Sequence, residues 1–155
     1  MVSIGKKVTN FSRPATGDRT LSLKDFSGTH LVLYFYPKDN TPGCTLEGQD
    51  FRDAYLEFKR AGAEVVGVSR DSVKAHENFK ARQNFPFALL ADVDETLCKQ
   101  FDVIREKTLY GRKFMGVERS TFLIDAKGVL RKEWRKVLVK GHVEEVLQAA
   151  KSLSK

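Results

Sequence analysis

The stretch Leu31-Val-Leu-Tyr-Phe-Tyr-Pro-Lys-Asp-Asn-Thr-Pro-Gly-Cys44 constrains the fold of this chain more than any other. Leu31 to Tyr36 is an unbroken apolar and aromatic run of strand length, the kind buried on both faces of a sheet. Pro37 ends it, because proline has no N–H to donate to a ladder. Lys38-Asp39-Asn40 reads as a loop, and Thr41-Pro42 as an N-cap followed by proline at the first helical position, where a missing donor costs nothing. The helix that follows carries Phe51, Ala54, Tyr55, Phe58 and Ala61 as an apolar stripe, and Gly62 stops it as a C′ residue. Ala63 to Ser69 is a second apolar run. Strand, helix and strand in succession predict a right-handed βαβ unit with parallel strands.

Cys44 falls in the first turn of that helix, in phase with the apolar stripe, so its sulfur should point inward. Unpaired backbone amides and the positive end of the helix dipole favour thiolate there and lower a pKa that starts near ~8.5. The residues alone leave two readings, a nucleophile or a structural cysteine of the commonly buried kind.

Gly17-Asp18 and the alternation Thr20 to Leu23 predict a short N-terminal β-hairpin covering one end of the sheet, and Ser22 to Phe26 a helical turn closed by Gly28. Asp71 or Ser72 caps a helix to about Gln83, with Val73, His76 and Phe79 inward, and Ala88-Leu-Leu begins a short strand. Asp92 or Asp94 caps a helix through Leu97, Cys98 and Phe101. Asp102 to Gly116, rich in charge, reads as a loop. Arg119 to Asp125 is a strand, Ala126-Lys-Gly128 a tight turn, Val129 to Val139 the antiparallel return, and Val143, Val146, Leu147 and Ala150 mark a last amphipathic helix. The pattern is α/β, a mixed central sheet flanked by helices.

The length of 155 residues suits a single domain spanning the chain. Two cysteines do not make a secreted disulfide scaffold. Met1-Val-Ser-Ile-Gly-Lys-Lys lacks the apolar core of a signal peptide and no run reaches the length of a membrane span, so a cytoplasmic protein with no membrane partner is expected. The net charge of +7 comes from basic residues spread along the chain, with one cluster, Arg131-Lys132 and Arg135-Lys136, around Trp134. No nucleic-acid motif accompanies it, so nucleic acid is not an expected partner; the charge suits anionic reductants or acidic proteins. His30, His76 and His142 have no partners at ligand spacing and read as solvated or packed, so neither metal nor cofactor is expected.

Pro37-x-x-x-Thr41-x-x-Cys44 resembles the active-site motif of the peroxiredoxins, and Tyr34-Phe-Tyr-Pro-Lys-Asp-Asn-Thr-Pro-Gly-Cys-Thr45 resembles that of their bacterioferritin comigratory protein (PrxQ) branch. The likeness continues through Leu21 to Gly28, Glu64 to Asp71 and Arg119 to Gly128. Val8-Thr-Asn-Phe-Ser12 departs from the Ala-Pro-Asp-Phe-like opening of that branch. The resemblance implies a thioredoxin-like fold and a thiol-dependent peroxidase acting on hydrogen peroxide and organic hydroperoxides, in which Cys44 passes through a sulfenic acid. It gives Thr41 and the amides of Gly43 and Cys44 the peroxide oxygens, Pro37 and Pro42 the shaping and shielding of the loop, and Arg119 the cation aimed at the sulfur. Glu47 would orient Arg119, or simply favour a helix N-terminus; taken alone, Thr41 is an N-cap and Arg119 a surface charge.

The branch often carries a resolving cysteine five residues after the first, where this chain has Gln49, or in the next helix, which here has none. Cys98 remains, either as a resolving thiol or as a small core residue. A one-cysteine cycle is expected, closed by an external thiol, glutathione with glutaredoxin or thioredoxin, in a monomer. A two-cysteine cycle through Cys98 and a non-enzymatic redox-sensing or nucleic-acid-associated binding module stand as alternatives.

Overall fold

The computed structural model describes residues 1–154. In chain order the strands are β1 (Ser12–Ala15), β2 (Arg19–Ser22), β3 (His30–Phe35), β4 (Ala63–Ser69), β5 (Ala88–Ala91), β6 (Ile104–Leu109), β7 (Arg112–Val117), β8 (Ser120–Ile124) and β9 (Leu130–Trp134). The α-helices are α1 (Pro42–Arg60), α2 (Val73–Gln83), α3 (Thr96–Gln100) and α4 (His142–Leu153), with a single 3-10 turn at Leu23–Phe26. Seven strands form one sheet in the order β2-β1-β5-β4-β3-β8-β9. Its centre is parallel, β3 with β4 and β4 with β5, as the βαβ pattern predicts; β8 and β9 extend it antiparallel at one edge. The N-terminal hairpin β1–β2 adds to the other edge through Ala15 opposite Leu90.

Because strand side chains alternate, β3 feeds two cores. Leu31, Leu33 and Phe35 pack on one face with Leu97, Cys98, Phe101 and Phe122; Val32, Tyr34 and Tyr36 pack on the other with Cys44, Phe51, Phe58, Phe79 and Val146. Thus α1, α2 and α4 cover one face and α3 the other. No helix among the described residues is long and apolar enough to cross a membrane.

Two expectations need correction. The segment 102–116 is not a loop: β6 and β7 form a separate antiparallel ribbon, registered from Ile104 opposite Val117 to Leu109 opposite Arg112. Its two-residue turn, Tyr110-Gly111, has positive φ at both positions (52° and 76°), the geometry that matches strand twist. The ribbon leaves most of its side chains in water, so it has none of the apolar alternation that would have marked it. The return strand after Gly128 stops at Trp134 rather than Val139; Lys136 turns left-handed at φ 51°, and the Val137 N–H bonds back to the Arg119 carbonyl.

Candidate active site

β3 carries the chain to the rim of the sheet, and the Asn40 turn (φ 63°) reverses it into α1. Thr41 has the extended backbone of an N-cap and Pro42 occupies the first helical position, but the Thr41 hydroxyl does not cap. It donates instead to the Lys38 carbonyl at 2.8 Å. Its proton is therefore committed within the turn, while its lone pairs stay free to accept. The amides of Gly43 and Cys44 reach no acceptor among the described residues, as expected for a first helical turn without a side-chain cap.

Cys44 is 2% exposed, with its sulfur inward as the helical phase predicts. Arg119, in the link between β7 and β8, extends across the rim. Its Nη2 lies 3.4 Å from Cys44 Sγ and its Nη1 donates to Glu47 Oε1 at 2.6 Å. Gly43 leaves room for this approach, since a Cβ there would stand a tight 3.1 Å from Nη2. Glu47 follows Cys44 by one helical turn, past the first turn of α1, and is completely buried, so it is not an acid set at the helix N-terminus, the second of its two readings. Burial pushes its carboxyl up to about 7 although the Arg119 charge pulls the other way, and its Oε2 has no partner among the described residues. Burial opposes the Arg119 charge, and Glu47 and the Cys44 sulfur more than offset that, holding its pKa above the ordinary value. Pro37 is half-buried under the turn, and Pro42 is exposed on its outer rim. One turn beyond Cys44, Gly48 faces the ring of Phe85 so closely that a Cβ would come within 2.3 Å of Cζ.

Cys98 lies in the other core, fully buried in α3. Burial, then the Asp92 carboxylate, push its thiol well above the ordinary range. The N-cap residue of α3 is Glu95, left-handed at φ 66°, rather than Asp92 or Asp94; the Asp92 carboxylate nevertheless caps from outside the helix by accepting the amides of Leu97 and Cys98 at 3.0 and 2.7 Å, and Asp94 accepts the Thr96 amide. The sheet stands between the two cysteines. Gln49 pairs with Gln83 of α2 at 2.9 Å.

One cluster beside the site has no signature in sequence spacing. Asp39 Oδ2 lies 2.7 Å from His76 Nδ1, His76 Nε2 2.8 Å from the Leu90 carbonyl, and the Tyr36 hydroxyl donates to Asp39 Oδ1 at 2.6 Å. The Asp39 amide donates to Asp71 Oδ2 at 3.0 Å. A histidine on the apolar stripe of α2 was the available hint, since a buried imidazole requires partners. Ligand-type atoms of Asp39, Asp71 and His76 gather within 4.8 Å, and each residue is already engaged in protein hydrogen bonds. His30 accepts the Ala126 amide, and His142, next to Thr121, is pushed by burial down to about 4 and is neutral. Of the basic cluster, Arg131, Lys132 and Lys136 are exposed; Arg131 pairs with Asp125, Lys132 lies over Trp134, and Arg135 binds Glu133 and the carbonyls of Phe101 and Asp102.

Comparison with known proteins places this arrangement among relatives. Residues 4–133 match the model of the AhpC/TSA family. A peroxiredoxin Bcp of Xanthomonas campestris is 53% identical over 140 residues, covering 90% of this chain and 88% of that protein. Peroxiredoxin Bcp of Bacillus subtilis is 48% identical over 153 residues, covering 99% and 98%. Among solved structures, the bacterioferritin comigratory protein of Xanthomonas campestris, studied for alkyl peroxide reduction in trapped-intermediate and ligand complexes, superposes with a TM-score of 0.89 at 50% identity, covering 94% of this chain and 92% of that one. A cysteine-to-serine variant of Xylella fastidiosa PrxQ superposes with a TM-score of 0.94 at 45% identity, over 100% and 99%.

Proposed function

The chain belongs to the AhpC/TSA family, in its Bcp/PrxQ peroxiredoxin branch, and on that premise we propose that Cys44 is the sulfur through which this thiol-dependent peroxidase reduces hydroperoxides. The observation that carries the assignment is the guanidinium of Arg119 at 3.4 Å from a buried sulfur at a helix N-terminus. A cation and unpaired amides both favour thiolate over thiol.

The Cys44 thiolate attacks the outer oxygen of the hydroperoxide; an S–O bond forms, the O–O bond breaks, and its electron pair leaves on the inner oxygen, which takes a proton to become alcohol or water. Charge grows on that leaving oxygen. The Gly43 and Cys44 amides and Arg119 are fixed donors near where it grows, and donors already in place need no reorganisation. Thr41 accepts from the peroxide O–H while its own hydroxyl donates to the Lys38 carbonyl. Glu47 holds Arg119 through its second nitrogen and so fixes the aim of the first. Pro37 and Pro42 stiffen the turn at its two ends.

The sulfenic acid is resolved by an external thiol rather than by Cys98. Two features support this: Cys98 is held as a thiol by burial and Asp92, and it belongs to the core on the opposite face of the sheet. A disulfide needs Cα atoms within about 7 Å, a separation that two layers on either side of a sheet do not offer. The thiol, glutathione with glutaredoxin or thioredoxin, displaces water from the sulfenic acid to give a mixed disulfide, and a second thiol frees Cys44. Alkyl hydroperoxides, named for the Xanthomonas relative, and hydrogen peroxide are the substrate classes. Two cores on one sheet support reading the whole chain as one domain. Intact mass after one equivalent of peroxide tests the cycle: a gain of one oxygen, or a glutathione adduct when glutathione is present, is expected, and loss of two protons overturns it in favour of a Cys44–Cys98 disulfide.

A further inference from the structure

His76 is fully buried and both ring nitrogens face oxygen acceptors, the Leu90 carbonyl at 2.8 Å and Asp39 Oδ2 at 2.7 Å. A carbonyl can only accept, so Nε2 carries a proton. A bare Nδ1 against an ionised carboxylate would set two acceptors in contact, so the second contact also contains a proton, on the ring or on Asp39. In either placement the pair is neutral overall, which is the condition under which such groups are tolerated inside a protein. The Tyr36 hydroxyl occupies the other Asp39 oxygen, and burial holds Tyr36 protonated by raising its pKa well above normal.

These bonds converge on one residue of the turn that precedes Cys44. Asp39 is fixed through its side chain to α2 and to Tyr36 at the end of β3, and through its amide to Asp71, whose carboxylate also takes the Ser69 hydroxyl at the end of β4. Asn40 follows in a left-handed conformation, then Thr41 and the first turn of α1. We propose that His76 is a positioning residue for peroxide reduction: through the proton it shares with Asp39 it clamps the 38–41 turn, and thereby sets where the Thr41 oxygen and the Gly43 and Cys44 amides stand around the Cys44 sulfur.

The proposal rests on Cys44 as the peroxide-reacting sulfur, and its test starts from the rate at which the wild-type protein is oxidised by hydrogen peroxide in a single turnover. If Cys44→Ser still consumes peroxide, the assignment of the sulfur fails; the clamp is judged separately, by variants that keep Cys44. His76→Phe fills the same space without nitrogens, and Asp39→Ala removes the carboxylate. Each should slow oxidation by about tenfold or more, the scale of a small misplacement of reacting groups, while reduction of the preformed sulfenic acid by glutathione is not slowed. Asp39→Asn can donate its amide to a neutral His76 and still accept from Tyr36, so oxidation should stay within about threefold of wild type. Ring nitrogen NMR should give two N–H signals for His76 in wild type, or one together with a carboxylic acid proton on Asp39, and one alone in Asp39→Asn. Wild-type oxidation rates in His76→Phe, or equal losses in Asp39→Asn and Asp39→Ala, overturn the proposal; should His76→Phe not fold, the Asn and Ala pair decides it.

Discussion

The two cysteines of this chain are equally hidden, 2% and 0% exposed, and chemically opposite. Cys44 meets a guanidinium and the open amides of a helix start; Cys98 meets a carboxylate that already caps its helix. Burial favours the neutral thiol at Cys98. What separates the two cysteines is the sign of the nearest fixed charge, so the sulfur proposed to meet peroxide is distinguished by its neighbours and not by its accessibility.

The sharpest break in that comparison is removal of each sulfur. Cys44→Ser should lower peroxide consumption with a thiol by at least about a thousandfold, as expected when an essential nucleophile is lost, whereas Cys98→Ser should stay within about twofold of wild type; steady-state peroxide loss measures both. Next, Arg119→Met should cost about a hundredfold in kcat/KM, the scale of losing one preorganised donor, and Arg119→Lys only part of it, since a point charge cannot hold Cys44 and Glu47 together.

Glu47→Gln should cost about tenfold at neutral pH, because the aim of Arg119 survives as a weaker neutral hydrogen bond. It also sharpens the pH dependence. With the Glu47 carboxyl raised from 4.5 to about 7, wild-type oxidation should fall as pH drops through that value and Arg119 loses its counter-charge; the limb belonging to Glu47 should vanish in Glu47→Gln. The sign for stability is the reverse. A carboxyl whose folded pKa lies above its unfolded value favours the fold when protonated, so this contribution is complete below pH 4.5 and is lost as pH rises to about 7. Urea unfolding of wild type against Glu47→Gln across that range should show it. The smallest effect is on the inert side: Cys98→Ala should cost about 1 to 2 kcal/mol of stability, a small cavity, and leave peroxide kinetics unchanged.

Much of this was legible in the chain. The apolar run of β3, the proline that ends it, Thr41-Pro42 and Gly62 state the strand, the turn and the limits of α1 directly, because each acts through local geometry. The inward phase of Cys44 followed from its spacing to Phe51. Arg119 came only through resemblance, since nothing local distinguishes it from a surface charge until the sheet brings β8 beside β3. The β6–β7 ribbon was missed because a strand pair that buries only its base leaves no apolar rhythm, and Asp39 with His76 because 37 residues separate the partners. Burial of Glu47 was equally silent: a glutamate near the start of a helix looks the same in sequence on either face.

The contact of Gly48 with Phe85 bears on kinetics. At 2% exposure the Cys44 sulfur leaves no room for the bulk of a tripeptide or a protein thiol, so the proposed one-cysteine cycle would require the oxidised sulfur to become more exposed before it is reduced. The first turn of α1 has no capping bond to hold it, whereas from Gly48 onward the helix is seated on an aromatic ring with no room for a side chain. Any opening required by that cycle would be stopped at that seat and so confined to about one helical turn. A reaction gated in this way would be first order in thiol only while thiol is scarce; at high concentration the reductive rate should reach a ceiling equal to the opening frequency, the same for every reductant, and a substitution at Phe85 should move that ceiling.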